Sequence, residues 1–410
     1  MRVPSLSHLL NRRRALGLLG TSTLALAGLR CGLPRMLQHR PPQSLPPDLD
    51  AWAQSKFDDV DRAAVWDVHC HLVGRGIGSG CSVSPEMVSR LHPWKNFQFD
   101  LYAAAAGLSA DDGVADAAYL DRLLDLHRLA NPAGRLVLLA FDQYVDDEGQ
   151  EVAGKSELFT PNDYVIEEGA RHSDVVVPGC SVHPYRKDAI ARLERALDGG
   201  CRAVKWLPNA MNIDPSSSRC DPFFAVLARR NIPLISHTGD EAAVDARDLQ
   251  SFGHPRRLER ALEQGVIVVA AHVATTGVCG AGSCFDELLQ MLDAPRFRET
   301  LFADVSAVPQ WNRAAHLPTL LRRRDLHERL LFGTDYPLPA IDPLISTRYL
   351  CQMDLLDPAD RDRCNEVFPR NPLLFDYLLK RCLRVVDGDG TVHRFAPIVF
   401  QTRRVFERAS

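Results

Sequence analysis

Two histidines separated by one residue close the first strand-like run of the sequence. His69 and His71 end the run 66–71, and residues i and i+2 of a strand share a face. Two imidazoles on one face can bind a single divalent metal ion. Asp67 shares the face of His69, and we expect its carboxylate to orient that ring. This spacing alone does not establish a metal site.

Four further residues with metal-binding chemistry stand in or directly after apolar runs. Lys205 interrupts the run 203–207, and a lysine is seldom buried unless its amine has a partner. It either bridges metal ions as a carboxylated amine or reaches past the strand to a carboxylate or to substrate. His237, His272 and Asp335 each follow an apolar run. Taken singly, each histidine would fit a core or loop position, and the aspartate would fit a helix cap.

The elements that must position these residues alternate between strand-like and helix-like patterns. The strand-like runs are 64–68, 135–141, 175–182, 203–207, 232–236, 266–271, 301–306 and 330–334. Amphipathic helical patterns separate them, among them 119–129, 188–197, 222–230, 256–264, 284–292 and 318–324. Strands separated by helices predict a parallel sheet, and eight such units predict an α/β fold of the (β/α)8 TIM-barrel type. A doubly wound open sheet is the alternative, but no glycine-rich nucleotide loop supports it.

In such a barrel the carboxyl ends of all strands open on one face, where active sites lie. Five of the eight strand ends would bring metal-binding residues to that face. In strand order 1, 4, 5, 6 and 8 they are His69 with His71, Lys205, His237, His272 and Asp335. Coincidence in all five positions is much less probable than coincidence in any one, so the set predicts a metal site.

The composition limits the classes of partner. The 410 residues are 46% hydrophobic and 24% charged, which excludes wholesale disorder, collagen and coiled coil. The 48 basic and 52 acidic residues nearly balance, so nothing indicates nucleic acid as a partner, and we expect a small-molecule substrate. No apolar run reaches the ~18–20 residues of a membrane-spanning helix. The oligomeric state is not readable from the sequence.

The N-terminal region has a composition of its own. Arg12-Arg13-Arg14 precedes an uncharged run, and Ala25-Leu26-Ala27 offers small residues for cleavage. Residues 1–27 therefore predict a twin-arginine-like signal peptide and export to a bacterial periplasm, with tethering to the membrane if the segment stays uncleaved. We predict a linker over 28–58, the barrel over 59–382 and a C-terminal extension over 383–410. The long segment 72–118 after strand 1 predicts a functional loop such as a lid.

The eleven cysteines are an odd number, so at least one has no partner within the chain. Cys279 and Cys284 are the nearest neighbours and could close a small loop. The cysteines do not form CxxC pairs, which gives little support to a structural zinc site. We expect most of them to be buried as small apolar residues.

The ordered set of strand-end residues resembles the amidohydrolase superfamily of metal-dependent hydrolases. The local sequences resemble its amidohydrolase-related branch at DVHCH (67–71), LISHTG (234–239), FGTDYP (332–337) and NPLLF (371–375). The resemblance covers roughly residues 60–380 of the sequence.

The resemblance implies a role for each residue of the set. His69 and His71 would bind the more buried metal ion, and His237 would be a ligand from strand 5. Asp335 would bind or contact the metal and take a proton from its water. His272 would bind a second ion in two-metal members, or polarise the substrate in one-metal members. Lys205 would act as a carboxylated bridge only between two ions.

The reaction implied is hydrolysis of an amide, lactone or other ester, with Asp335 as general base and acid and His272 as a second catalytic residue. One or two divalent ions, most simply Zn²⁺, would be the cofactor. Alternatives are a non-oxidative decarboxylase of the same fold and a catalytically silent metal-binding protein of the periplasm. His183 and Arg186, at the end of strand 3, are candidate substrate contacts, and Asp304 and Ser306 are expected to line the pocket.

Overall fold

Eight parallel strands form one sheet whose spatial order follows the chain. The computed structural model describes residues 41–107, 116–246, 248–342 and 344–407, so the predicted signal peptide lies outside the described residues. The strands are Trp66–His71 (β1), Arg135–Leu139 (β2), Val176–Cys180 (β3), Ala203–Trp206 (β4), Leu234–His237 (β5), Val268–Ala271 (β6), Leu301–Asp304 (β7) and Leu330–Leu331 (β8). The predicted (β/α)8 barrel is confirmed.

The barrel closes where the chain after β8 runs beside β1. Asp335 donates its backbone N–H to the carbonyl of His69 at 2.7 Å, and His71 donates to the carbonyl of Tyr336 at 3.0 Å. Gly333 permits this approach, because a Cβ at that position would lie 2.9 Å from the Cβ of His69. The closure therefore places the end of β8 directly against the histidine pair.

The barrel interior is filled by alternate strand residues, as the two-residue period of a strand requires. One buried cluster contains Trp66, Val68, Val137, Leu139, Val177, Ala203, Ile235, Ile267, Val269, Phe302 and Leu331. The residues between them, such as Leu136 and Leu138, face outward and pack against the helices. Because both faces of the sheet are covered, the strands read as nearly continuous apolar runs.

Thirteen α-helices lie in the described parts of the chain. They are Pro47–Ser55 (α1), Pro93–Ala106 (α2), Ala117–Ala130 (α3), Asn162–Arg171 (α4), Ala189–Asp198 (α5), Pro208–Met211 (α6), Asp221–Arg230 (α7), Glu259–Glu263 (α8), Cys284–Asp293 (α9), Leu317–Arg322 (α10), Thr347–Gln352 (α11), Pro358–Val367 (α12) and Pro372–Cys382 (α13). Each predicted helical pattern contains or overlaps one of them. Within the described residues, no helix is both long and apolar enough to cross a membrane.

The second half of the predicted linker is part of the packed body. Leu49 and Trp52 of α1 are buried in the main hydrophobic cluster, and Phe57 stacks on Tyr377 of α13 with ring centroids 4.1 Å apart. The linker prediction is therefore wrong over 47–58, because the apolar residues after Pro47 form the buried face of a helix. The other domain boundaries stay predictions.

The predicted C-terminal extension covers the amino-terminal end of the barrel. After a hairpin of Val385–Val386 and Val392–His393, the chain passes beneath β8 and β1. Thr402 accepts a hydrogen bond from the Trp66 N–H at 3.1 Å and donates one to the Trp66 carbonyl at 2.5 Å. Val405 then enters the interior cluster. The extension thus seals the end of the barrel opposite the strand carboxyl ends.

The hydroxyl of Thr402 stabilises this seal, and Thr402→Val tests its contribution. The valine has nearly the same shape but cannot bond to the buried backbone of Trp66. We expect the free energy of unfolding, measured by urea denaturation, to fall by about 1–3 kcal/mol. Thr402→Ser keeps the hydroxyl and serves as the control. Equal stability of the valine variant and the wild type would contradict the proposed role.

Candidate active site

The six side chains of the predicted set line one cavity at the carboxyl ends of the strands. The cavity has a volume of about 530 Å³, within the usual range of small-molecule sites. The site residues in its wall are His69 and His71 from β1, Lys205 from β4, His237 from β5, His272 after β6 and Asp335 after β8. Residues separated by up to 266 positions in sequence are thus brought together by the barrel.

Asp335 connects the two histidines of β1. Its Oδ1 lies 3.0 Å from Nε2 of His71 and 3.5 Å from Nε2 of His69. One nitrogen from each histidine and one oxygen of Asp335 all lie within 4.8 Å of one another. The Nζ of Lys205 is 2.9 Å from Nε2 of His69. Two imidazoles and a carboxylate at this spacing form a donor set suited to a divalent metal ion.

The other side of the His69 ring is held by β7. Its Nδ1 lies 3.0 Å from Oδ2 of Asp304 and 3.1 Å from Oγ of Ser306. A carboxylate can only accept, so Nδ1 carries the proton and Nε2 presents its lone pair to the cavity. The sequence predicts that Asp304 and Ser306 merely line the pocket. Instead, Asp304 orients the His69 ring.

The predicted orienting role of Asp67 is accordingly wrong. Its Oδ1 accepts hydrogen bonds from the backbone N–H groups of His69 at 3.1 Å and Thr334 at 2.9 Å, and its Oδ2 accepts from the Thr334 hydroxyl at 2.5 Å. The side chain therefore fastens the ends of β1 and β8 together and does not touch the imidazole. Burial raises the pKa of Asp67 to about 7.

His237 and His272 are oriented in the same way as His69. The Nδ1 of His237 lies 3.2 Å from Oε2 of Glu241, while its Nε2 is buried without a hydrogen-bond partner among the described residues. The Nδ1 of His272 lies 2.9 Å from Oγ and 3.3 Å from the carbonyl oxygen of Ser306. Because these acceptors take the proton on Nδ1, Nε2 of each ring is left as an acceptor or ligand atom.

The rings of these histidines adjoin one another. The ring centroid of His272 is 4.9 Å from that of His69 and 5.1 Å from that of His237. His237 is not a member of the group that includes Asp335; it stands beside His272 on the neighbouring strand. The predicted residues therefore form an extended row of potential metal ligands along the floor of the cavity.

Burial keeps these histidines neutral. It is the main cause that lowers the pKa of His71 and His237, and with the nearby Lys205 charge it holds the pKa of His69 well below its usual value. Burial also lowers the pKa of Lys205 to about 8. Burial would raise the pKa of Asp335, but the hydrogen bond with His71 and the nearby charges, such as that of Lys205, together outweigh it, and the pKa lies below its usual value. At neutral pH the site thus has neutral imidazoles and an ionised carboxylate.

Strained backbone conformations orient His272 and Asp335. His272 has φ of 60° and Asp335 has φ of 65°, in the left-handed region that non-glycine residues seldom adopt. The segment before Asp335 is held by Asp67 at Thr334 and by Lys380, which donates to the carbonyl of Gly333 at 2.7 Å. This conformation turns the Asp335 carboxylate towards the histidines instead of continuing the strand.

The predicted lid segment does cover the cavity. Helix α2 lies in that segment, and its Phe99 and Tyr102 line the cavity wall. Gln98 and Tyr102 both donate to the carbonyl of Ala243 at 2.9 Å, which ties the helix to the loop after β5. Trp94 points away and is 55% exposed.

The structure does not support the predicted substrate contacts from β3. The Nε2 of His183 donates to the Met211 carbonyl at 2.7 Å, and its Nδ1 accepts from the Tyr185 N–H at 3.2 Å. Arg186 makes a paired bond with Asp142 at 2.9 and 2.7 Å and a further bond with Glu151. Neither side chain is in the cavity wall. Both are structural groups whose bonding capacity is satisfied within the chain.

Sequence reasoning missed Glu241 and Arg313, which also line the cavity. Glu241 follows His237 by four residues in a loop, and no periodic pattern marks it. Arg313 belongs to the segment after β7, where an arginine normally indicates a solvated loop. A signal for either residue was lacking because loop conformation alone brings them to the site.

The structural role of His183 predicts a pH effect on stability. Burial lowers its pKa to about 4, against about 6.5 in the unfolded chain. The contribution of neutral His183 to the free energy of unfolding is therefore complete above pH 6.5. It decreases by up to about 3 kcal/mol as the pH falls to 4. His183→Gln should remove that part of the acid dependence of the unfolding free energy. An unchanged acid dependence in urea titrations, or loss of substrate binding with stability intact, would contradict a purely structural role.

Comparison with known proteins shows the family of this chain. The amidohydrolase family model matches residues 66–364, and no curated protein matches the sequence. An uncharacterised TIM-barrel protein of Bordetella bronchiseptica has 16% identity and a TM-score of 0.46, over 77% of this chain and 99% of its own. The 5-carboxyvanillate decarboxylase of Sphingomonas paucimobilis has 12% identity and a TM-score of 0.40, over 66% of this chain and 78% of its own. The 4-oxalomesaconate hydratase of Rhodopseudomonas palustris has 16% identity and a TM-score of 0.39, over 77% and 98%. Since the family model spans well over half of the sequence, the chain belongs to the amidohydrolase family.

Proposed function

We propose that this protein is a metal-dependent hydrolase that directs water at an amide, lactone or other ester bond. The observation that carries the proposal is the position of Asp335, 3.0 Å from His71 and 3.5 Å from His69 in a buried cavity. An ionised carboxylate held there can neutralise a cation and can also accept a proton.

The donor set fits a divalent ion. His69 and His71 would hold it with Asp335, and His237 offers a buried Nε2 that has no partner in the described part of the chain. A buried imidazole nitrogen without a partner is costly, which supports a ligand role. Imidazole and carboxylate donors suit Zn²⁺. Such an ion, when bound, would lower the pKa of a bound water from ~15.7 to ~7.

Asp335 would move the proton. Its pKa lies below the usual value, so the carboxylate is ionised at neutral pH and can accept a proton from the attacking water. The protonated acid can then deliver that proton to the leaving group. The closure of β8 against β1 keeps the carboxylate from turning away between the two transfers.

His272 favours the two-metal form of this chemistry. Its Nδ1 is bonded to Ser306, so its Nε2 presents a lone pair and not an N–H. In that tautomer the ring can bind a cation but cannot donate a hydrogen bond to a substrate oxygen. Burial also lowers the pKa of Lys205 to about 8, which enlarges its neutral fraction. The neutral amine is the form that adds carbon dioxide, losing a proton to give a carbamate.

Metal content and hydrolysis test this proposal together. We expect about two Zn²⁺ ions per chain in the purified protein, measured by elemental analysis, and a loss of at least one in Lys205→Ala. Asp335→Asn should lower the rate of hydrolysis of its best substrate, found in a panel of amides, lactones and esters, by about 10²–10⁴-fold.

Lys187→Ala, which alters an exposed lysine, should leave both measurements unchanged. One ion in the wild type and in Lys205→Ala would exclude the bridged form but not the hydrolase. Release of carbon dioxide from carboxylate substrates, with no hydrolysis of the panel, would establish a decarboxylase instead. Tight metal binding with no turnover of any substrate would indicate a catalytically silent metal-binding protein.

We also propose that the protein is exported to the periplasm. The twin-arginine-like residues 12–14 and the small residues 25–27 support export. The Cys279–Cys284 disulfide also supports it, because such bonds persist in oxidising compartments. The other eight cysteines of the described residues are free, and all but Cys351 are buried, where periplasmic oxidants have little access.

Fractionation of a bacterial host tests export. We expect the periplasmic protein to begin at Gly28 by N-terminal sequencing, or to remain in the membrane fraction with its N-terminus intact. Changing both Arg12 and Arg13 to lysine should retain the protein in the cytoplasm. An intact, unmodified wild-type chain found only in the cytoplasm would contradict the proposal.

A further inference from the structure

The cavity that holds the proposed metal site is mainly apolar beyond the polar floor. Its volume of about 530 Å³ exceeds what the reacting group of a substrate would fill. The wall above the histidines is formed by hydrocarbon side chains from several loops, among them Phe99, Phe141, Leu158, Leu207, Val244 and Leu344. Phe141 also stacks on His71 with ring centroids 4.6 Å apart. Such a wall suits an apolar body of aromatic size.

Arg313 is a charged side chain in this wall. Its side chain is buried, with the residue 9% exposed, and its Nε has no hydrogen-bond partner among the described residues. One terminal nitrogen donates to the hydroxyl of Thr275 at 3.1 Å. No acidic side chain of the described residues forms an ion pair with it. A buried guanidinium without a counter-anion is costly.

The buried guanidinium of Arg186, outside the cavity, is by contrast fully paired. Arg186 bonds to both oxygens of Asp142 and to Glu151. The three carboxylates whose charges act on Arg313 are already engaged with other groups. Asp335 is bonded to His71. Glu241 is bonded to His237, and Asp304 is bonded to His69. The missing partner of Arg313 is therefore not supplied by the described chain.

The position of Arg313 is fixed beside the site. Thr275, which accepts from its guanidinium, donates in turn to the carbonyl of His272 at 2.7 Å. Arg313 is thus tied to the short segment that carries His272. An anion bound by Arg313 would lie within the same cavity as the reacting groups.

We propose that the substrate is an apolar, aromatic-sized carboxylate and that Arg313 binds its carboxylate group. This inference rests on the proposed function, since it names the substrate class of the same site. The guanidinium fork matches a carboxylate in two parallel hydrogen bonds, and the hydrocarbon wall takes the rest of the molecule. The scissile amide, lactone or ester bond would lie between the carboxylate and the metal ligands.

The test compares 2-naphthoate with 2-naphthamide, which has the same ring system but no charge. Binding of each to the purified full-length protein is measured by calorimetry. We expect the wild type to prefer the naphthoate by roughly 10- to 100-fold. Arg313→Gln should abolish the preference, and Arg313→Lys should keep part of it. Arg260→Gln, which removes a partly exposed guanidinium paired with Asp221 outside the cavity, is the control and should bind as the wild type does.

Equal affinities in the wild type, or an undiminished preference in Arg313→Gln, would overturn the inference. If Arg313→Gln does not fold, as judged by circular dichroism, Arg313→Lys decides: a several-fold weaker naphthoate affinity supports the anchor, and an unchanged affinity overturns it.

Repeating the titrations after chelation separates this inference from the proposed function. A preference that depends on Arg313 with and without metal supports the anchor, even if the metal analysis of the untreated protein finds none and the hydrolase proposal fails. A preference that vanishes with the metal and ignores Arg313 overturns the anchor while the hydrolase stands.

Discussion

The pairing of the first and last barrel strands is the constraint on which the site depends. Asp67 bonds to the backbones of His69 and Thr334, and the Asp335 N–H bonds to the His69 carbonyl. These bonds join residues at opposite ends of the barrel sequence. Without them, the carboxylate of Asp335 would have no fixed relation to the histidine pair. Because the linking carboxylate is itself buried and accepts three hydrogen bonds, its loss would leave several buried donors unsatisfied.

A second constraint is the orientation of the imidazoles. Three of the histidines place Nδ1 on an acceptor of the protein: Asp304 for His69, Glu241 for His237 and Ser306 for His272. Each acceptor selects the tautomer that leaves Nε2 open. This common arrangement explains why polar residues of β7 and the β5 loop are needed although they are not part of the predicted donor set.

Buried polar groups in this chain divide into two kinds. Some, such as His183 and Arg186, are saturated by partners within the protein and serve stability. Others, such as Nε2 of His237 and Nε of Arg313, have no partner in the described residues, and they line the cavity. Burial alone therefore does not distinguish a functional polar residue from a structural one.

The sequence by itself determined the barrel and the six strand-end residues. The two-residue period of buried strands, the helices between them and the fixed order of histidines, lysine and aspartate are local features. Only the tertiary structure decided which carboxylate orients His69, that α1 packs into the core, and that Arg313 and not Arg186 reaches the cavity. These outcomes depend on which loops meet across the barrel mouth. Loop conformations are set by long-range contacts, and no periodic pattern in the sequence encodes them.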